Sequence, residues 1–143
     1  MGMPNAGPNQ VDQFQIMRDA IKNVLADKAE FALLFGSIVT NRIMSESDID
    51  IGVYFKGQGI NFEERLALLG DLESAAKREI DLVEMNTCDI IIAMQILANG
   101  EVIINNNPGL FVLFKSQKIS EYIDFKRGRK IIEDSMLTRR MYA

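Results

Sequence analysis

Short apolar runs that end in glycine or polar residues, separated by stretches with helical spacing, constrain this chain more than any other feature. "FALLF" at 31–35 is continuously apolar and stops at Gly36-Ser37. "DIDIGVYF" at 48–55 follows and stops at "KGQG", and "EIDLVEM" at 79–85 is a third run of the same kind. Runs this short, rich in branched and aromatic residues, read as buried strands. Between and around them the spacing changes to that of helices. Phe14, Met17, Ile21, Val24 and Leu25 predict an amphipathic helix over about 12–28, with Asp12 as its N-cap. Asn61 caps a second helix carrying Phe62, Leu66, Leu69, Leu72 and Ala76, with Glu63 and Glu64 in its first turn. Thr87 or Asp89 opens a third, which ends at Asn99-Gly100. "EVII" at 101–104 reads as a short edge strand, and Pro108 suits the first turn of a last helix with a stripe of Phe111, Phe114, Tyr122, Phe125, Ile132 and Met136. The expected fold is therefore one compact α/β unit with a C-terminal helical segment at about 108–140.

A length of 143 residues suits one domain that hides roughly two-thirds of its unfolded surface. We expect a flexible leader at 1–11 and a single domain over 12–143. The stripe is expected to be chiefly core, with a lesser chance that part of it faces a partner. Cys88 is the only cysteine, so no internal disulfide forms, and a reducing cytoplasm is the expected compartment. It reads as a small buried hydrophobe rather than a nucleophile, since no histidine or evident basic neighbour activates it. The longest apolar stretch, Ile90 to Ala98, contains Gln95 and falls far short of the ~20 residues that span a bilayer. A net charge of −4 argues against a broad nucleic-acid surface, and "KRGRK" at 126–130 reads as a solvated face.

The unusual feature is acid inside strands. Asp48 and Asp50 are two residues apart, so on a strand they project from one face while Ile49 and Ile51 pack on the other. Adjacent carboxylates repel unless a cation lies between them. The chain has no histidine, so an all-oxygen site favours Mg²⁺ or Mn²⁺ over zinc. Asp81 interrupts another apolar strand and supplies a third acid. Gly36 lets the backbone approach a ligand, and the Ser37 N–H and hydroxyl suit a phosphate oxygen. Metal-binding carboxylates facing a phosphate cradle describe phosphoryl or nucleotidyl transfer. Singly, each signal has an ordinary reading: a turn at Gly36-Ser37, a cap or solvated edge at Asp48–Asp50, an ion pair of Asp81 with Lys77 or Arg78. Glu46 and Glu84 read as solvent-facing.

Taken together, Gly36-Ser37, ten intervening residues, Asp48-Ile49-Asp50 and Asp81 about thirty residues on resemble the GSx10DxD signature of the polymerase-β-like nucleotidyltransferases. The length is similar to that of their minimal nucleotidyltransferase (MNT) branch, often the antitoxin of HEPN–MNT pairs. The resemblance covers Phe31 to Asn86 by motif. It implies the nucleotidyltransferase fold, an α/β small mixed sheet flanked by helices, with catalytic and metal-ligating roles for Asp48, Asp50 and Asp81, two Mg²⁺ ions, and phosphate binding by Gly36 and Ser37. Family members often have an arginine and a second glycine where this chain reads Ile38-Val39-Thr40-Asn41, and Arg42 stands two places later as the available substitute. The activity implied is transfer of AMP from ATP to a hydroxyl, on family grounds a tyrosine of a cognate HEPN ribonuclease toxin. The partners implied are that toxin and a nucleoside triphosphate, with no membrane and no direct nucleic acid, and hetero-oligomer formation left open. The alternative is an inactive MNT-fold antitoxin that occludes its toxin stoichiometrically. Modification of a small molecule is a weaker third reading, because such enzymes usually carry a further substrate domain.

Overall fold

A computed structural model of the chain describes residues 10–36 and 48–142. Four strands form one sheet in the order β3-β2-β1-β4. β1 (Ala29–Phe35) runs antiparallel to both β2 (Ile49–Phe55) and β4 (Glu101–Asn105), whereas β2 and β3 (Ile80–Glu84) are parallel. A parallel pair needs a crossover, and α2 (Phe62–Ala76) supplies it. The helices α1 (Gln10–Leu25), α3 (Ile90–Asn99) and α4 (Pro108–Tyr142) complete the order. The sheet is small and mixed, as its sequence predicts.

Alternation along the strands builds two cores. Ile49, Ile51, Val53 and Phe55 join Ala32, Leu34, Ile80 and Leu82 on the face covered by α1 and α2. The opposite face carries Phe31 and Leu33 against Met85, Ile96, Phe111 and Phe114. The Phe31 ring is stacked 5.0 Å from Tyr54 and lies 4.8 Å from Phe111, edge to face. Gly52 lets α3 approach closely, since a Cβ there would lie 3.0 Å from Met85 Sδ and 3.1 Å from Ile96 Cδ1.

Helix ends follow local chemistry. Asn61 Oδ1 accepts the Glu64 N–H at 2.8 Å while Glu64 Oε1 accepts the Asn61 N–H at 3.3 Å, a reciprocal cap on α2. Of the two residues proposed to open α3, Asp89 is the cap, its Oδ1 accepting the Ile92 N–H at 2.9 Å. Asn107 Oδ1 accepts the Leu110 N–H at 3.2 Å ahead of Pro108.

Several boundaries and faces differ from the sequence reading. α1 begins at Gln10, so Asp12 lies inside the helix rather than capping it and residues 10 and 11 are helical, while residues 1–9 of the expected leader lie outside the described residues. The helix stops at Leu25, because the turn after it bonds Lys28 N–H to the Leu25 carbonyl and β1 starts at Ala29. On α2 the core residues are Leu68, Leu72 and Ala76, while Phe62 and Leu66 are exposed. The buried face is centred on Leu68, Leu72 and Ala76, and Leu66, two residues from Leu68, lies on the other side of the helix. The stripe on α4 divides in the same way. Phe111 and Phe114 are buried, Tyr122 is half-buried, and Phe125, Ile132 and Met136 are exposed. Glu84 is half-buried rather than fully solvated: its Oε1 accepts the Ile60 N–H of the β2–α2 loop at 3.4 Å. Cys88 is half-buried against the Phe31 core, where burial pushes its thiol up and Lys118 only partly offsets this, in agreement with an inert packing role. Among the described residues no helix is long and apolar enough to cross a membrane.

Candidate active site

The strand register decides which acids meet. β2 and β3 pair in parallel with Asp50 opposite Asp81, and the Ile49 N–H donates to the Glu79 carbonyl at 3.0 Å just before that pair. Adjacent strands lie ~4.8 Å apart, so side chains opposite each other on one face are in reach. The Asp50 carboxyl hydrogen-bonds to Asp81. Burial, that hydrogen bond, and the charges of Asp81 and Asp48 together push Asp50 from 3.8 up to about 6. Asp50 is half-buried, while Asp48 and Asp81 are exposed. Asp81 therefore avoids the burial that its apolar neighbours suggest, because β3 is the edge strand. Among the described residues no ion pair joins it to Lys77 or Arg78.

Gly36 follows β1, and Phe35 pairs with Asp50 in the antiparallel register. Its φ is +80°, and a Cβ built there would fall on Asp50 Oδ2 and 3.2 Å from Asp50 Cγ. Two independent requirements therefore exclude a side chain at this position: a left-handed backbone and contact with the carboxylate. Ser37 and Arg42 lie outside the described residues, as do Ile38 to Asn41, Glu46 and Ser47.

Asp50 and Asp81 form the close pair, and Asp48 contributes charge from just ahead of β2. Among the described residues no three potential ligands are gathered closely enough to hold a metal ion as they stand. The donor chemistry nevertheless fits a hard divalent cation. All the donors are carboxylate oxygens, and the charges of Asp81 and Asp48 that help push Asp50 up are those a bound cation would offset.

Supporting contacts around the acids left no local trace in the sequence. The Arg65 guanidinium donates to the Leu82 carbonyl, tying α2 to the strand that carries Asp81. Glu73 Oε2 accepts the Ile80 N–H at 3.1 Å at the start of that strand. Asn86 bridges the end of β2, accepting from the Phe55 N–H at 2.8 Å and donating to the Phe55 carbonyl at 3.0 Å. The partners are separated by up to 31 residues, so only the folded register brings them together. A hollow of about 320 Å³ lined by Lys28, Phe55, Ile60 and Leu68 lies at the opposite end of β2 from Asp50 and is not part of this site.

The family model described as "Polymerase beta, Nucleotidyltransferase" matches residues 19–109, more than half of the chain and all of the strands. No curated protein matches the sequence. Among solved structures, a toxin–antitoxin with AMP-PNP superposes with a TM-score of 0.71 at 24% identity, covering 84% of this chain and 98% of that one. The toxin–antitoxin MntA-HepT gives a TM-score of 0.67 at 24% identity over 86% of this chain and 98% of that one. A tri-AMPylated Shewanella oneidensis HEPN toxin in complex with MNT antitoxin gives 0.68 at 24% identity, over 87% and 98%. At this identity the structural similarity establishes the fold.

Proposed function

The chain belongs to the polymerase-beta nucleotidyltransferase family, and on that footing we propose that it is an MNT antitoxin that moves AMP from ATP to a tyrosine hydroxyl of a cognate HEPN ribonuclease toxin in the cytoplasm. The observation that carries this reading is the register pairing of Asp50 with Asp81, with Asp48 close enough to raise the Asp50 carboxyl. Structural elements need no such arrangement, since a carboxyl pair without a cation costs stability. Similarity to proteins solved as a toxin–antitoxin with AMP-PNP and as an MNT antitoxin with a tri-AMPylated HEPN toxin supports the same reading.

Asp48, Asp50 and Asp81 would hold Mg²⁺, which supplies charge neutralisation at the triphosphate and a fixed orientation of its α-phosphorus. Gly36 keeps the backbone beside Asp50 free of a side chain, leaving that edge accessible to phosphate. Ser37 is assigned to the phosphates from the motif, and Arg42 as the substitute for the arginine that the motif has two places earlier. In the transfer, the tyrosine oxygen forms a bond to the α-phosphorus and the bond from that phosphorus to the bridging oxygen breaks. Pyrophosphate leaves, and the hydroxyl proton passes to the exposed Asp81 carboxylate.

The test mixes the purified HEPN partner, Mg²⁺ and ATP with wild type or with Asp48→Asn/Asp50→Asn, and reads the mass of the partner. Adenylyl groups added by wild type and none by the variant, with both proteins folded, are expected. A partner inhibited equally by both and unmodified by either refutes the transferase and leaves stoichiometric occlusion.

A further inference from the structure

α4 is 35 residues long, about 52 Å at the usual rise, and much of its second half projects past the domain. Phe111, Phe114, Lys118, Tyr122, Phe125, Arg129, Ile132 and Met136 are three or four apart and so share one helix face. That face is core at Phe111 and Phe114 and continues, exposed, as Phe125 at 42%, Ile132 at 61% and Met136 at 57%. A stripe built for packing thus outruns the domain it packs against.

Two hollows lie along the overhang and share Phe125, Arg129 and Glu133. One, about 380 Å³, reaches back to Ile91 of α3 and Tyr122 and is edged by Lys126 and Lys130. The other, about 520 Å³, runs past Gly128 to Ile132. Phe125, Gly128, Arg129 and Ile132 are spaced i, i+3, i+4, i+7, which outlines a hole able to take one apolar side chain from a crossing helix. Gly128 deepens it, and a Cβ built there would meet open space.

Charge identifies the occupant. Lys126, Arg129 and Lys130 edge the smaller hollow against one acid, Glu133, whereas Asp124 and Glu133 edge the larger one beside Arg129, so the excess of positive charge lies on the Ile91 side, in a chain whose net charge is −4. Arg129 is paired with Glu133 at 3.0 Å and Lys126 lies over the Tyr122 ring at 5.2 Å, whereas Lys130 has no ion pair among the described residues. A second copy crossing at Gly128 would set one cationic segment against the other. Nucleic acid would leave the apolar floor unfilled. A lipid surface needs its apolar residues on one face, and here Ile119, Ile123 and Ile131 are exposed on the others. We propose that the overhanging end of α4, with Ile91, docks an amphipathic helix of the partner protein that presents apolar anchors flanked by carboxylates. This rests on the reading of that partner as the toxin, and assigns the surface that holds it.

The test measures binding of the purified toxin to wild type, Lys126→Glu/Lys130→Glu and Gly128→Leu at rising salt, together with toxin adenylylation. The charge reversal should weaken binding about tenfold or more and flatten its salt dependence. Gly128→Leu should fill the hollow and weaken binding similarly while leaving helix content and melting temperature equal or higher. Adenylylation should show a raised KM with kcat retained at saturating toxin. Both variants binding the toxin as wild type does would overturn the docking proposal alone. A wild type that never binds the toxin would refute the functional reading and this inference with it. Loss of binding to single-stranded RNA or anionic vesicles, with toxin affinity kept, would assign the segment to a different partner and also overturn the proposal.

Discussion

Replacing Gly36 with alanine tests the tightest local constraint at the candidate site, and its cost can be worked from two separable sources. The backbone at position 36 has φ +80°, where an L side chain costs about 1–2 kcal/mol. The new Cβ would also fall on the Asp50 carboxylate, whose Cγ is only 3.2 Å away, so Asp50 must leave its rotamer at about 0.5–1.5 kcal/mol. The sum is about 1.5–3.5 kcal/mol, which for a domain of this size lowers the melting temperature by roughly 5–12 °C. In an Asp50→Ala background the second source vanishes. A double-mutant cycle by chemical denaturation should therefore show Gly36→Ala costing less there, by about 0.5–1.5 kcal/mol. A cost identical in both backgrounds would refute the reasoning, since it would mean that Gly36 and Asp50 do not touch. A cost below about 0.5 kcal/mol in wild type would refute the left-handed backbone as well.

Asp50 gives a pH signature. Its folded carboxyl sits at about 6 against 3.8 when unperturbed, so the folded state keeps a proton that the unfolded chain releases. That contribution to stability is complete below about pH 4 and is lost as pH rises to about 6. Melting temperature measured without metal across this window, wild type minus Asp50→Asn, should fall with rising pH, and a flat difference would contradict the burial of Asp50 beside Asp81 that raises it. Asn86→Ala removes both hydrogen bonds to the Phe55 backbone, at 2.8 and 3.0 Å, and should cost about 1–3 kcal/mol in denaturant unfolding. A loss under 0.5 kcal/mol would show that water replaces the amide.

The sequence determines what is local in this protein. Alternation assigns Ile49 and Ile51 to one face and the acids to the other because side chains reverse at every residue of a strand, whatever surrounds it. Asn61 and Asp89 cap their helices through bonds that reach three residues, and the glycine at 36 and the acids at 48, 50 and 81 can be recognised from type and spacing. Tertiary structure decides what depends on where an element ends relative to its neighbours. Helical spacing marks a continuous face on α4 but cannot say that α3 covers only its first turns, and so Phe125 and Ile132 read as core and are exposed. The same limit moved Glu84 from solvent to the Ile60 N–H, and moved Asp81 from a costly interior to an exposed edge strand. Register lies beyond the sequence too, because the pairing of Asp50 with Asp81 is set by how α2 returns the chain, through the long-range contacts of Arg65 and Glu73 with β3. Spacing named the three acids; the crossover put two of them in contact, and that contact, through burial and shared charge, gives Asp50 its displaced pKa.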